Sequence, residues 1–382
     1  MACHAPSSTG SVSAVTKTGA VPLQECSSPS SPSGMNAMRR RQLLVNLGLA
    51  AASAVGGHVT AAIPVSASDE VRVGERLAGR VRTAMLGFLP GPVDISGPGV
   101  RAGLAVALAD FRRCHYSRLA DRLPRLISAG HLLADGETAE ASALLAEIYT
   151  LTARMLIKLD QPLARMAADR ARVLAAGGGD PLIIAEAARN LAVLARRAGR
   201  HDQAMSVALT AAASPGLGGC DPRLAAERGL LIQSAAYTAA RAGDRAGMRE
   251  LTSEAAAIAG RLGGVLLPDH GDGFSPATVQ LHRISAEIHA GDAGAAVAAA
   301  RQIVPGSLAT TERRARFWTD TARAYGMWGR REECIAALLA AEHEAPQDVH
   351  ARPAARDLVR GLLVSGRVSQ ELRGLAGRCR IS

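Results

Sequence analysis

The sequence predicts an all-α fold, a right-handed solenoid of stacked antiparallel helical hairpins, and three observations predict it. Hydrophobic residues make up 48% of the 382 positions but aromatic ones only 3%, so the apolar surface comes in small pieces, much of it alanine. Alanine has the highest intrinsic helix propensity and here alternates with Leu, Arg and Glu, while β-branched runs of strand type are nearly missing. Short glycine turns also recur between helix-length segments: Ala198-Gly199-Arg200, Ala242-Gly243-Asp244, Ala290-Gly291-Asp292, Trp328-Gly329-Arg330 and Ser365-Gly366-Arg367. Successive glycines lie 44, 48, 38 and 37 positions apart.

Along the chain, residues 1–38 form a Ser/Pro-rich leader without helical periodicity, a composition that cannot repay its ordering entropy and predicts disorder. Met35 and Met38 leave a later translation start open. Residues 39–68 open on Arg39-Arg40-Arg41 and continue as a mostly apolar stretch to Val65-Ser66-Ala67, which has the small-x-small shape of a cleavage site. Two readings stand: a twin-arginine-like export signal at 39–67, or a cytoplasmic apolar linker helix. Asn46, Gly48, Gly56, Gly57, His58 and Thr60 interrupt the stretch and argue against a membrane span. Residues 69–136 predict an N-terminal helical pair interrupted by a loop at Pro90-Gly91-Pro92 and Gly97-Pro98-Gly99.

Residues 137–382 carry the repeats. Hairpins are predicted at 140–176, 181–213, 222–262, 275–304 and 311–345, with a partial, polar one at 353–376 as a cap. Asp180-Pro181, Asp221-Pro222 and Ser275-Pro276 mark helix starts, each placing a capping side chain before a proline that loses nothing at the first helical position. In the 181–213 hairpin, Ile184, Ala187, Ala188, Leu191 and Leu194 form one apolar stripe and Ala204, Val207, Ala208 and Ala211 its partner. Periods of this size match helical repeats, of which the tetratricopeptide type runs about 34 residues and related units up to about 47.

The chemistry of catalysis is not written in the usual forms: no Walker loop, H-E-x-x-H helix, G-x-S-x-G elbow or strand-borne G-x-G-x-x-G is present, so no enzyme activity and no cofactor are expected. Gly177-Gly178-Gly179 reads as a linker. The loop Asp269-His270-Gly271-Asp272-Gly273-Phe274 lacks the oxygen ladder of a calcium loop, and the six cysteines are unpaired by spacing, so no metal site is expected. Trp318, Tyr325 and Trp328 read as core packing. The net charge of +10, from 44 Lys+Arg against 34 Asp+Glu, admits a nucleic-acid partner, but the arginines read as scattered over helix surfaces and not grouped with aromatics.

In stacked hairpins the first helices line the concave side, where polar residues need a reason. The candidates are Arg189 and Asn190, Gln233 and Tyr237, His282, and Arg316 with Asp320. Asn and Arg on such a wall can hold an extended peptide by its backbone or carboxylate.

The stretch Thr311-Glu312-Arg313-Arg314-Ala315-Arg316-Phe317-Trp318-Thr319-Asp320-Thr321-Ala322-Arg323-Ala324-Tyr325, and the ending Arg352-Pro353-Ala354-Ala355-Arg356-Asp357-Leu358-Val359 through Ser365-Gly366-Arg367, resemble the C-terminal sensor half of helix-turn-helix transcriptional regulators from high-GC filamentous bacteria. The resemblance extends over residues 70–382 and implies tetratricopeptide-like repeats that sense small molecules or peptides and pair protomers. The N-terminal DNA-reading helices of that family have no counterpart before residue 70. The expectation is therefore a cytoplasmic, homo-oligomeric regulatory module binding a peptide, protein or small effector. A DNA-binding regulator and an exported repeat protein are the alternatives.

Overall fold

The computed structural model describes residues 73–87, 96–136, 138–263 and 274–381, and among these the regular structure is all helix. The leader, the 39–68 segment, the Pro90–Pro92 part of the predicted loop and residues 264–273 lie outside the described residues. No helix of the described residues is long and apolar enough to cross a membrane.

Three helices open the described chain: α1 (Val73–Met85), α2 (Gly97–Arg112) and α3 (Tyr116–Ala134). Gly97-Pro98-Gly99 is not a loop but the first turn of α2, because Ser96 caps it by accepting from the Gly99 N–H and Pro98 fits a position that needs no donor. Then follow α4 (Ala139–Lys158) and α5 (Ala164–Gly178), α6 (Pro181–Arg197) and α7 (His201–Ala212), α8 (Pro222–Ala242) and α9 (Arg245–Arg261), α10 (Pro276–His289) and α11 (Ala293–Ala300), and α12 (Thr311–Met327) and α13 (Arg331–Glu344). A six-residue helix α14 (Pro346–Ala351) precedes α15 (Pro353–Val364) and α16 (Gln370–Arg378). Helix α1 packs on α3, and from α2 onward each helix packs on its successor; α4, α6, α8, α10 and α12 also touch in series.

Local chemistry explains the joints. Asp180, Asp221 and Ser275 accept from the N–H groups of Leu182, Arg223 and Thr278 at the starts of α6, α8 and α10. Gly199, Gly243, Gly291 and Gly329 take φ of 75°, 86°, 80° and 78°, where a Cβ would be strained. The residue after each donates back across the turn, for example Arg200 to the Ala195 carbonyl at 3.0 Å and Asp244 to that of Ala239 at 2.9 Å. Gly366 departs from the pattern and has no positive φ. There the Arg331 guanidinium donates to the Leu362 and Arg367 carbonyls, both at 2.7 Å, satisfying the helix end without a left-handed turn.

The stripe along α6 is shifted from the predicted one: Leu182, Ile183, Ala185, Ala187 and Ala192 are buried whereas Ile184 is 41% exposed. Trp318 and Tyr325 pack against the core, but Trp328 is 47% exposed and carries the Arg330 guanidinium 5.6 Å above its ring.

The two ends of the described chain meet. The buried cluster formed by α1 to α5 also takes in Ala315 of α12 and Ala345. Helix α14 supplies the polar part of this closure. Asp348, fully buried, accepts from the Tyr116 hydroxyl at 2.7 Å and faces the Lys158 ammonium at 3.2 Å, while Lys158 also pairs with Glu312. Gln347 accepts from the Ser117 N–H at 3.0 Å and donates back to its hydroxyl. Burial holds Glu312 up, but Lys158, Arg313 and the nearby arginines outweigh it and keep the carboxyl well below its usual range.

Candidate functional site

Closure leaves a cavity of about 590 Å³ lined by α4, α6, α8, α10, α12 and α15, with Phe111 from α2. From α4 to α12 the lining comes from alternate helices, the first of each helix pair. Their cavity faces follow helical periodicity: Leu230, Ser234, Tyr237 and Arg241 on α8, for instance, recur every three or four residues.

Six of the seven predicted residues, Arg189, Asn190, Tyr237, His282, Arg316 and Asp320, line this one cavity. Gln233 does not. It sits one position before Ser234 and so roughly 100° round the helix, fully buried, with neither carboxamide atom hydrogen-bonded among the described residues.

Tyr237 stands at the centre. Its oxygen accepts from Arg316 Nη2 at 2.5 Å and lies 2.9 Å from His282 Nδ1. Arg313 Nη1 is 3.5 Å from His282 Nε2. A guanidinium can only donate, so Nε2 is the acceptor and the ring proton belongs on Nδ1, which donates to Tyr237. Burial, then Arg316 and Arg313, push His282 well below the usual imidazole range, so the ring is neutral. Asp320 accepts from the Ser285 hydroxyl and pairs with Arg316 at 3.4 Å and Arg323 at 3.5 Å. Burial opposes the charge on Asp320, but these partners lower its pKa on balance.

The lining carries nine arginines and Lys158 against four carboxylates, an excess of six positive charges. The arginines are thus not simply scattered; a large group of them converges here. Most are matched locally. Arg189 pairs with Glu227 at 3.0 Å and Glu186 at 3.2 Å, Arg154 with Glu186 at 3.4 Å, Arg197 with Asp160 at 3.2 Å and Arg352 with Asp348 at 3.6 Å. One side of the cavity is different. Arg196, 9% exposed, donates to neutral acceptors: the Ser234 carbonyl and hydroxyl, both at 3.1 Å, and Thr238. It stacks 5.2 Å from the Tyr237 ring. Burial, then the repulsion of Arg197, Arg241 and Arg316, lowers its pKa to about 10 against the pull of Tyr237. Exposed Arg241 has no ion-pair partner among the described residues.

Sequence reading missed Arg196, Arg241, His289 and Arg323, although a signal was present. Three of them fall seven positions beyond a predicted residue (Arg189 to Arg196, His282 to His289, Arg316 to Arg323), and Arg241 falls four beyond Tyr237. These are the next turns of the same faces. Lys158, Glu312 and Asp348 were missed as well.

Among the described residues no three His, Cys, Asp or Glu side chains gather as a metal site would require; the 269–273 part of the acidic loop lies outside them. Cys114, Cys220, Cys334 and Cys379 are free thiols, and burial pushes Cys114 and Cys334 up to about 12. No protein-family model matches the chain, and no curated protein does.

Proposed function

We propose that this chain is a non-catalytic ligand-sensing module, a solenoid of tetratricopeptide-like hairpins whose concave face binds a small effector, as in the sensor halves of the regulators its C-terminal sequence resembles. The observation that supports this reading is the cavity itself. It is lined in series by α4, α6, α8, α10 and α12, and its polar residues come from one face of each. Its volume of about 590 Å³ falls within the roughly 300–1,000 Å³ of small-molecule sites. Lining residues from both ends of the described chain, Phe111 on one side and Arg352, Pro353, Ala354 and Asp357 on the other, favour a compact effector over an extended peptide, which needs a groove open at its ends.

The test is a thermal-shift and ligand-observed NMR screen of small metabolite-like compounds on the wild type and on Val193→Trp, which fills the cavity from α6. Hits that disappear with the variant support the reading. Hits that survive unchanged place binding elsewhere and refute it.

A further inference from the structure

The side of the cavity around Arg196 has a chemical signature of its own. Arg196, Arg241, Arg316 and Arg323 converge there with Asp320, which already accepts from Ser285 and pairs with Arg316 and Arg323. The guanidinium of Arg196 lies 5.2 Å and that of Arg316 5.9 Å from the Tyr237 ring. His289 meets that ring edge-on at 6.2 Å. Four cations against one anion leave an excess of three charges on this side of the cavity, two of the guanidinium groups lying over one aromatic ring. Buried cations are normally matched, because an unpaired charge out of water is costly, and Arg196, 9% exposed, faces only neutral acceptors. Arg241, which is exposed, bears no such cost but adds its charge to the same side. Elsewhere in this cavity that rule is kept: Arg154, Lys158, Arg189, Arg197 and Arg352 each face a carboxylate.

We infer that the Arg196, Arg241 and Arg323 wall is an anion subsite that takes the phosphate or diphosphate group of a small organic phosphate, the rest of the molecule occupying the cavity toward Asn190 and Val193. A monocarboxylate, with one negative charge, would leave most of the excess uncompensated, whereas a phosphate monoester or diphosphate carries two or three. Guanidinium groups also match phosphate geometry with paired N–H donors. The neutral His289 ring adds a further polar contact at the wall. Burial, then Arg323 and Arg241, with Arg196 adding to them and Asp320 opposing, lowers its pKa to about 3. A bound dianion offsets that repulsion and raises it.

This inference rests on the cavity being a ligand site, and the experiment separates the two ideas. Isothermal titration with inorganic pyrophosphate, at ionic strength fixed with sodium chloride, is run on the wild type, Arg241→Ala, Arg323→Ala and Val193→Trp. The His289 imidazole is followed by NMR. Arg241 is exposed and Arg323 half-buried, so both alanine variants are expected to fold, which circular dichroism checks. The expected result is saturable binding that weakens by about tenfold or more in each arginine variant, the loss of one charge-assisted contact. The His289 titration moves upward in the complex. Failure to bind pyrophosphate, binding indifferent to both arginine variants, or a His289 titration that does not move overturns the anion subsite. If neutral compounds still bind and are lost in Val193→Trp, the cavity reading survives that failure; if Val193→Trp abolishes nothing, both fall.

Discussion

Lys158 joins the two ends of the described chain, and Lys158→Met removes its charge while keeping most of its stem. In the folded protein the ammonium pairs with Glu312 and stands 3.2 Å from Asp348, with side-chain exposures of 6%, 10% and 0% respectively. Truncating one partner of a buried pair typically costs about 3–5 kcal/mol, because the remaining charge is left in a poor dielectric. Arg313 at 3.9 Å from Glu312 and Arg352 at 3.6 Å from Asp348 retain part of the compensation, which places the expected loss near the lower end, about 3 kcal/mol. The sign of the pH dependence is the sharper test. In the wild type, the depressed Glu312 contributes stability that is complete above its unfolded pKa of 4.5 and is lost only as pH falls through the much lower folded value. Without Lys158, the strongest attraction holding the Glu312 charge is gone and burial raises its pKa. The folded variant then binds a proton that the unfolded chain releases, so its stability rises as pH falls. Urea unfolding followed by circular dichroism at pH 8 and pH 5 should show a deficit of about 3 kcal/mol that shrinks by about 1 kcal/mol or more at the lower pH. A deficit below about 1 kcal/mol, or one independent of pH, would refute the view that this contact is a buried electrostatic closure.

Glu147 gives a pH test of opposite origin: burial, with Glu186 beside it, raises its pKa from 4.5 to about 7, so folding loses stability as pH rises through that window. Glu147→Gln should be neutral near pH 4 and stabilise at pH 8 by about 3 kcal/mol, at 1.36 kcal/mol per pKa unit, read from urea midpoints. Gly229→Ala improves helix propensity by about 1 kcal/mol, yet its Cβ would lie 2.3 Å from Cζ of the fully buried Phe274. A net loss of about 1–3 kcal/mol is expected, and a rise in Tm would contradict it. Gln233→Leu removes a fully buried carboxamide that has no hydrogen-bond partner among the described residues. It should stabilise by about 1 kcal/mol or more in chemical denaturation, with cavity binding unchanged.

What the sequence made legible is what short range encodes. The Asp-Pro and Ser-Pro starts and the left-handed turns at Gly199, Gly243, Gly291 and Gly329 are decided by residues within a few positions of each other. Gly366 looked identical in sequence, but the helix end there is satisfied by Arg331, 35 positions earlier, which no local pattern announces. Gly97-Pro98-Gly99 misled because two glycines and a proline suit a loop and a capped first turn equally well, and Ser96 decides between them. Helix α14 carries only part of a start signal: Pro346 stands at its first position and Asp348 in its first turn, but Ala345 offers no capping side chain of the kind that marks α6, α8 and α10. Its task has no local signal, because the partners of Asp348 and Glu312 lie 232 and 154 positions away. In the candidate site the faces were legible and their extent was not. Each face continued a turn or two beyond the residue first named, and the phase error that placed Gln233 in the cavity was a single position.

That continuation changes what the net charge means. Read as composition, +10 is an arginine-rich surface; read on the structure, the cavity lining alone carries an excess of six. Like charges brought together oppose the compact state, and the protein offsets this where helices meet. Carboxylates of one helix pair reach arginines of the pair before it, as Glu186 does for Arg154 and Glu227 for Arg189. These cross-links also fix the spacing of α4, α6 and α8, so the cavity wall and the contacts between helix pairs are the same set of side chains. Around Arg196 and Arg241 the pattern is not continued, and the repulsion there is instead a standing bias toward any anion of matching charge. Binding of such an anion must stabilise the fold by linkage, in proportion to the logarithm of its concentration over its dissociation constant. It must do so most strongly across α6, α8 and α12, the helices whose cations, Arg196, Arg241, Arg316 and Arg323, it would neutralise. Because Arg196, Arg241 and Arg323 lie near the C-terminal ends of these helices, such a ligand would tie them together from one end, and the stiffness of the stack would follow its concentration.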